Sequence, residues 1–87
     1  MTPVTLYSTD YCGYCRAAKR YFEEKGIPFT EIDLSGDDAG REALHARTGR
    51  TTVPQIFVGD THVGGYTDLV ALDRAGGLAP LLAVNPG

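Results

Sequence analysis

The sequence predicts one small α/β domain, a mixed four-stranded sheet with helices on its faces, in the order β-α-β-α-β-β-α with a short terminal helix. Three observations carry this. At 87 residues, 43% of them hydrophobic, the chain can bury one compact core and not two. Short segments rich in β-branched and aromatic residues take turns with segments whose apolar residues recur at three- and four-residue spacing. Glycine and proline fall singly or in pairs between these segments, and no repeat or linker interrupts them.

Val4-Thr5-Leu6-Tyr7-Ser8 alternates apolar and polar residues and reads as a buried first strand. Over residues 13–25, Cys15, Ala18, Tyr21 and Phe22 share one helical face while Arg16, Lys19, Arg20, Glu23 and Glu24 take the others. Gly26 stands where a left-handed residue ends that helix, and Pro28 forbids its continuation. Residues 27–34 read as a second strand, which a right-handed βαβ crossover makes parallel to the first. Next, residues 35–38 offer capping and acidic groups. Ala39, Ala43, Leu44 and Ala46 give a thin apolar stripe, and Gly49 follows Arg47 as a stop, predicting a second helix. Gln55-Ile56-Phe57-Val58 and Thr61-His62-Val63, joined by Gly59-Asp60, form an antiparallel hairpin. Gly64-Gly65 breaks the pattern before a third helix over residues 66–75, with Thr67 as N-cap and Leu69, Val70 and Leu72 turned inward. Gly76-Gly77 ends it. Leu78, Leu81 and Leu82 dock a last helical turn that tolerates Pro80 near its start, and residues 83–87 are expected to fray.

Eight basic against eleven acidic side chains give a net charge of -3, which argues against a general nucleic-acid or anionic-membrane binder. The opening residues lack the features of a secretory leader and no stretch is long enough to span a membrane, so a cytoplasmic location is expected. A single pair of cysteines is too few for a secreted disulfide scaffold and fits a redox or metal role better.

That pair, Cys12-Gly13-Tyr14-Cys15, follows the first strand directly and opens the first helix. Open α/β sheets carry their sites at the carboxyl ends of strands. Unpaired amides and the positive end of the dipole at a helix entrance stabilise an anion, so the Cys12 thiolate is favoured and Cys12 is the natural nucleophile. Arg16, Lys19 and Arg20 add positive charge nearby and Asp10 opposes it. Cys15, one turn later on the same face and deeper in the helix, suits a resolving thiol. Structural zinc would need two more ligands. His45 and His62, the only histidines, lack the spacing for it and read as solvated or core side chains, and Gly13 at a strand-to-helix junction argues against inert core cysteines.

The chain resembles the glutaredoxins, within the thioredoxin-fold superfamily, over about residues 4–82. The resemblance rests on three separated motifs: Cys12-Gly13-Tyr14-Cys15, Thr51-Thr52-Val53-Pro54-Gln55-Ile56-Phe57 and Gly64-Gly65-Tyr66-Thr67-Asp68-Leu69. It implies a thioredoxin fold and a cis Pro54 that sets the Val53 backbone opposite Cys12. It also implies a groove for glutathione, in which Val53 pairs with the tripeptide backbone as a short added strand and Thr52 lines the same wall. Glutathione carries two carboxylates and one ammonium. Thr67 and the first amides of the third helix would hold the γ-glutamyl carboxylate, and Asp68 would accept from the ammonium. By the same analogy Arg41 faces the glycyl carboxylate, Tyr14 flanks the groove, and Gly65 and Tyr66 complete it. Two positions depart from the family's pattern. Thr9 stands where many members carry a basic residue, and Gly13 where proline is commonest in dithiol members.

The implied activity is glutathione-dependent thiol-disulfide oxidoreduction on glutathionylated or disulfide-containing proteins, with glutathione as co-substrate and a monomeric chain. Two alternatives stand beside it. Because Gly13 is small, two protomers could bridge a 2Fe-2S cluster through Cys12 of each and two glutathiones, as some relatives do. The chain could also be an electron donor reduced by a flavoenzyme, against which the Thr67-Asp68 site argues.

Overall fold

The computed structural model describes residues 2–10 and 12–83. The elements run β1 (Val4–Ser8), α1 (Gly13–Glu24), β2 (Thr30–Asp33), α2 (Asp38–Thr48), β3 (Gln55–Val58), β4 (Thr61–Gly64), α3 (Tyr66–Arg74) and α4 (Leu78–Ala83). The sheet order is β2-β1-β3-β4. β1 lies parallel to β2 and antiparallel to β3, and β4 is antiparallel to β3, which is the mixed sheet expected from the sequence.

Because side chains alternate across a strand, β1 and β3 feed two cores. On one face Val4, Leu6, Ile56 and Val58 meet Ala18 and Phe22 of α1, Leu69 of α3 and Leu78 of α4. On the other, Phe57 packs with Leu34 and with Leu44, the buried residue of α2, and Tyr7 covers them. The first core fixes α1, and with it the cysteine pair, to the end of β1. Phe22 is fully buried there. Phe22→Ala is expected to cost about 3–5 kcal/mol, read as a lower denaturation midpoint in urea at unchanged slope. A loss under about 1 kcal/mol would mean that α1 is held by something other than this core.

The glycine stops act as expected: Gly26 (φ 68) follows α1, and Gly49 (φ 75) caps α2 with its N–H on the His45 carbonyl. Three expectations need correction. The second strand is four residues long and not eight, because the Ile27 N–H closes back on the Phe22 carbonyl at 2.9 Å and Pro28 has no N–H to offer a ladder. The N-cap of α3 is Gly65 and not Thr67. The Leu69 N–H reaches the Gly65 carbonyl at 2.9 Å, and the Asp68 carboxylate takes the Gly65 N–H, so the helix starts two residues earlier. Ala83 is the last residue of α4, which is tied to the chain start by the Thr2 N–H on Leu82 O and the Thr2 hydroxyl on Leu81 O; the rest of the expected frayed tail, residues 84–87, lies outside the described residues.

Candidate active site

Cys12 is the N-cap of α1, with extended backbone, and its Sγ accepts the Cys15 N–H at 3.1 Å. The cap position thus turns one of the unpaired amides of the first helical turn onto the sulfur. Across the site the Cys12 Sγ–H meets the Val53 carbonyl at 3.4 Å, on the loop that enters β3 through a cis Val53–Pro54 peptide. Cys12 is partly exposed, whereas Cys15 is 1% exposed. Burial first, and the contact with Cys12 second, push the Cys15 thiol up to about 12, against which the Thr9 N–H and the Lys19 charge work. The two sulfurs are therefore unequal, one accessible and capped by a helix, the other shielded.

Beside Cys12 runs a groove of about 340 Å³ lined by Tyr14, Arg50, Thr52, Val53, Pro54, Gly65, Tyr66, Thr67 and Asp68. Tyr14 stands 63% exposed over it, 6.2 Å from the Tyr66 ring. At the far wall Asp68 Oδ2 accepts from the Gly65 N–H at 2.9 Å and from Arg50 Nη1 at 3.0 Å; these two bonds hold the carboxyl below the usual carboxylate range, so it is ionised at neutral pH. Arg50 is fixed through its own backbone: its N–H donates to Thr48 Oγ1 at 3.1 Å and its carbonyl accepts from Gln55 Nε2 at 3.0 Å. A thiol at a helix entrance beside a groove that offers cationic, anionic and backbone partners can attack a disulfide whose other half lies in the groove.

A model of the glutaredoxin family matches residues 4–63. The chain belongs to the glutaredoxin family. Relatives include glutaredoxin 3 of Escherichia coli (strain K12), 49% identical over 94% of this chain and 99% of that protein, and a glutaredoxin of Pseudomonas aeruginosa, 49% identical over 95% and 99%. Among solved structures, a buckwheat glutaredoxin-glutathione complex aligns with a TM-score of 0.85 at 36% identity, over 93% of this chain and 76% of that one. A glutaredoxin from Brucella melitensis aligns at 0.83 and 45% identity, over 94% and 89%. The fold is thus the thioredoxin fold, and the chain's role is that of a thiol-disulfide oxidoreductase.

Of the residues singled out from the sequence, Tyr14, Thr52, Val53, Pro54, Gly65, Tyr66, Thr67 and Asp68 line one groove, and Cys12 adjoins it through Val53. Arg41 does not join them. It borders a separate depression with Thr9, Asp10, Ser35 and Gly36, because it sits in the first turn of α2, about two turns or roughly 10 Å from the end of the helix that leads into the groove. The cation in the groove is Arg50, which the sequence reading passed over; its place just after the Gly49 stop and before the Thr51–Phe57 motif was the available signal. Gly65 lines the groove, and its neighbour Gly64 is the more tightly enclosed of the two. A Cβ at Gly65 would meet only ordinary contacts, whereas one at Gly64 (φ 111) would lie 2.5 Å from Asp68 Oδ2 and 3.0 Å from Arg50 Nη1. Gly13 faces open space, in keeping with room above the thiol. A 2Fe-2S cluster takes four sulfur ligands; Cys12, the accessible thiol, is the one this chain would give it, the other three coming from a second protomer and two glutathiones, whereas the shielded Cys15 would give none.

Proposed function

We propose that the chain reduces mixed disulfides between glutathione and proteins, and protein disulfides, using glutathione as co-substrate in a reducing compartment such as the cytoplasm. The observation that carries this reading is the pairing of the one accessible thiol, Cys12, with a groove whose wall holds an ionised Asp68 beside Arg50 and the first amides of α3. A tripeptide with two carboxylates and an ammonium finds opposite charge for each group there. The buckwheat relative bound to glutathione supports the same reading.

The chemistry follows from the placement. Cys12 Sγ sits at the α1 entrance, where the Cys15 amide donates to it, and reacts as the thiolate. That sulfur attacks the glutathione sulfur of a mixed disulfide; the protein thiolate leaves and is protonated from solvent, and glutathione stays on Cys12. A second glutathione thiolate then attacks this bond, releasing glutathione disulfide and restoring Cys12. With a protein disulfide as substrate, Cys15 displaces the substrate from Cys12, and two glutathiones reduce the internal bond.

Removing the carboxylate that meets the ammonium tests the groove. In Asp68→Ala, the KM for a glutathionylated peptide is expected to rise roughly 10-fold or more, with kcat nearly unchanged, since a charge-assisted bond is lost far from the reacting sulfurs. An unchanged KM in a glutathione-coupled assay would remove the γ-glutamyl end from this site.

A further inference from the structure

Behind Cys15 lies a polar cluster that the reaction described above does not use. Leu6 and Ser8 of β1 share a sheet face with Glu31, which pairs with Leu6 across β1 and β2, and that face is the one α1 covers. Ser8, 2% exposed, donates its hydroxyl to Glu31 Oε2 at 2.6 Å, and Lys19 of α1 donates to the same oxygen at 2.9 Å. Lys19 lies one helical turn after Cys15, on the same side of α1. β1, β2 and α1 thus bring one cation, held by a carboxylate, to the side of α1 that carries the shielded thiol.

We propose that Lys19 is a positioning residue for the resolving step, its ammonium favouring negative charge on the Cys15 sulfur while Glu31 restrains it. The step itself balances without an outside oxidant. Cys15 yields its proton to solvent and its sulfur attacks Cys12 Sγ. The bond from Cys12 to the bound small thiol breaks, and the departing sulfur takes the electron pair and is protonated from solvent. Cys15 is oxidised from thiolate to disulfide and the leaving sulfur is reduced. Among the described residues, Cys12 and Lys19 bear on Cys15; Glu31, Cys15 and Arg16 bear on Lys19; and Lys19 and Asp33 bear on Glu31. With Cys12 in a disulfide it carries no charge, and Lys19 remains as a cation bearing on the attacking sulfur.

The proposal builds on the glutathione reading of the same site, and its test keeps the two apart. Reduced protein is mixed with glutathione disulfide and, in parallel, with hydroxyethyl disulfide, then quenched in acid and analysed by intact mass. The first phase, set by disulfide concentration, forms the mixed disulfide on Cys12; the second, independent of concentration, forms the Cys12–Cys15 bond. A nearby cation typically changes thiolate populations by about 3–10-fold, so Lys19→Met is expected to slow the second phase by that factor and leave the first within about 2-fold. Lys19→Arg should restore the second phase. Glu31→Gln frees the ammonium and should leave the second phase as fast as wild type or faster. A purely structural ion pair predicts the opposite pattern, with Lys19→Met and Glu31→Gln slowed alike. Equal slowing in those two, or an unchanged second phase in Lys19→Met, overturns the proposal. A wild-type first phase seen with hydroxyethyl disulfide but not with glutathione disulfide would defeat the glutathione reading, and the Lys19 comparison would still be read on the former.

Discussion

Replacing Cys12 by serine is expected to lower both deglutathionylation and protein-disulfide reduction by on the order of 10³-fold or more, which amounts to their loss. The reaction is an exchange between sulfurs, and an oxygen at this position can neither become anionic near neutrality nor form the covalent intermediate. The fold should not register the change. Cys12 Sγ acts structurally as an N-cap acceptor for the Cys15 N–H at 3.1 Å, and serine is among the best N-cap residues. An unchanged urea midpoint beside lost turnover in the glutathione-coupled assay is therefore the expected pair of results. Turnover that survives would take the nucleophile away from Cys12.

Cys15→Ser divides the two activities. Reduction of protein disulfides is expected to fall by roughly 100-fold or more, because the mixed disulfide with the substrate protein has no resolving thiol. Deglutathionylation persists, since its second step uses external glutathione. The same residue gives the wild-type dithiol route its pH dependence. Burial raises the Cys15 thiol to about 12, and burial, the largest cause, persists once Cys12 is in a disulfide. A thiol raised this far is mostly protonated at working pH, and its reactive fraction grows about 10-fold for each pH unit on the way up. Formation of the internal disulfide should thus accelerate steadily from pH 6 to pH 9 without a plateau in single-turnover mass analysis. A plateau near pH 7 would mean that Cys15 is ionised in the intermediate.

Parts of this site can be read from residue order alone. The alternation in Val4–Ser8 and the apolar spacing that includes Cys15, Ala18 and Phe22 reflect local periods, and the strand-to-helix junction between them puts Cys12 at a helix entrance. Gly26 and Gly49 end helices because a left-handed residue is a local requirement. What local pattern misses are tertiary choices. The four residues of β2 are exposed at the sheet edge, so nothing in burial dictated where the strand began, and the competing use of the Ile27 N–H by α1 decided it. Arg50 and Arg41 are both arginines near α2. The left-handed turn at Gly49, the Thr48 hydroxyl and the Gln55 amide bring the first to Asp68, and none of these appears as a motif. Likewise, adjacent glycines 64 and 65 look equivalent in sequence. The Asp68 carboxylate and the Arg50 guanidinium occupy the space where a Gly64 side chain would stand.

On the function proposed above, the accessible sulfur takes glutathione, and not the protein, as its covalent partner when it opens a mixed disulfide. The most direct measurement is intact mass of Cys15→Ser after brief mixing with a stoichiometric amount of a glutathionylated protein. The expected result is an enzyme carrying one glutathione on Cys12 and a released, fully reduced substrate protein. An enzyme linked through Cys12 to the substrate protein, with glutathione set free, would contradict it.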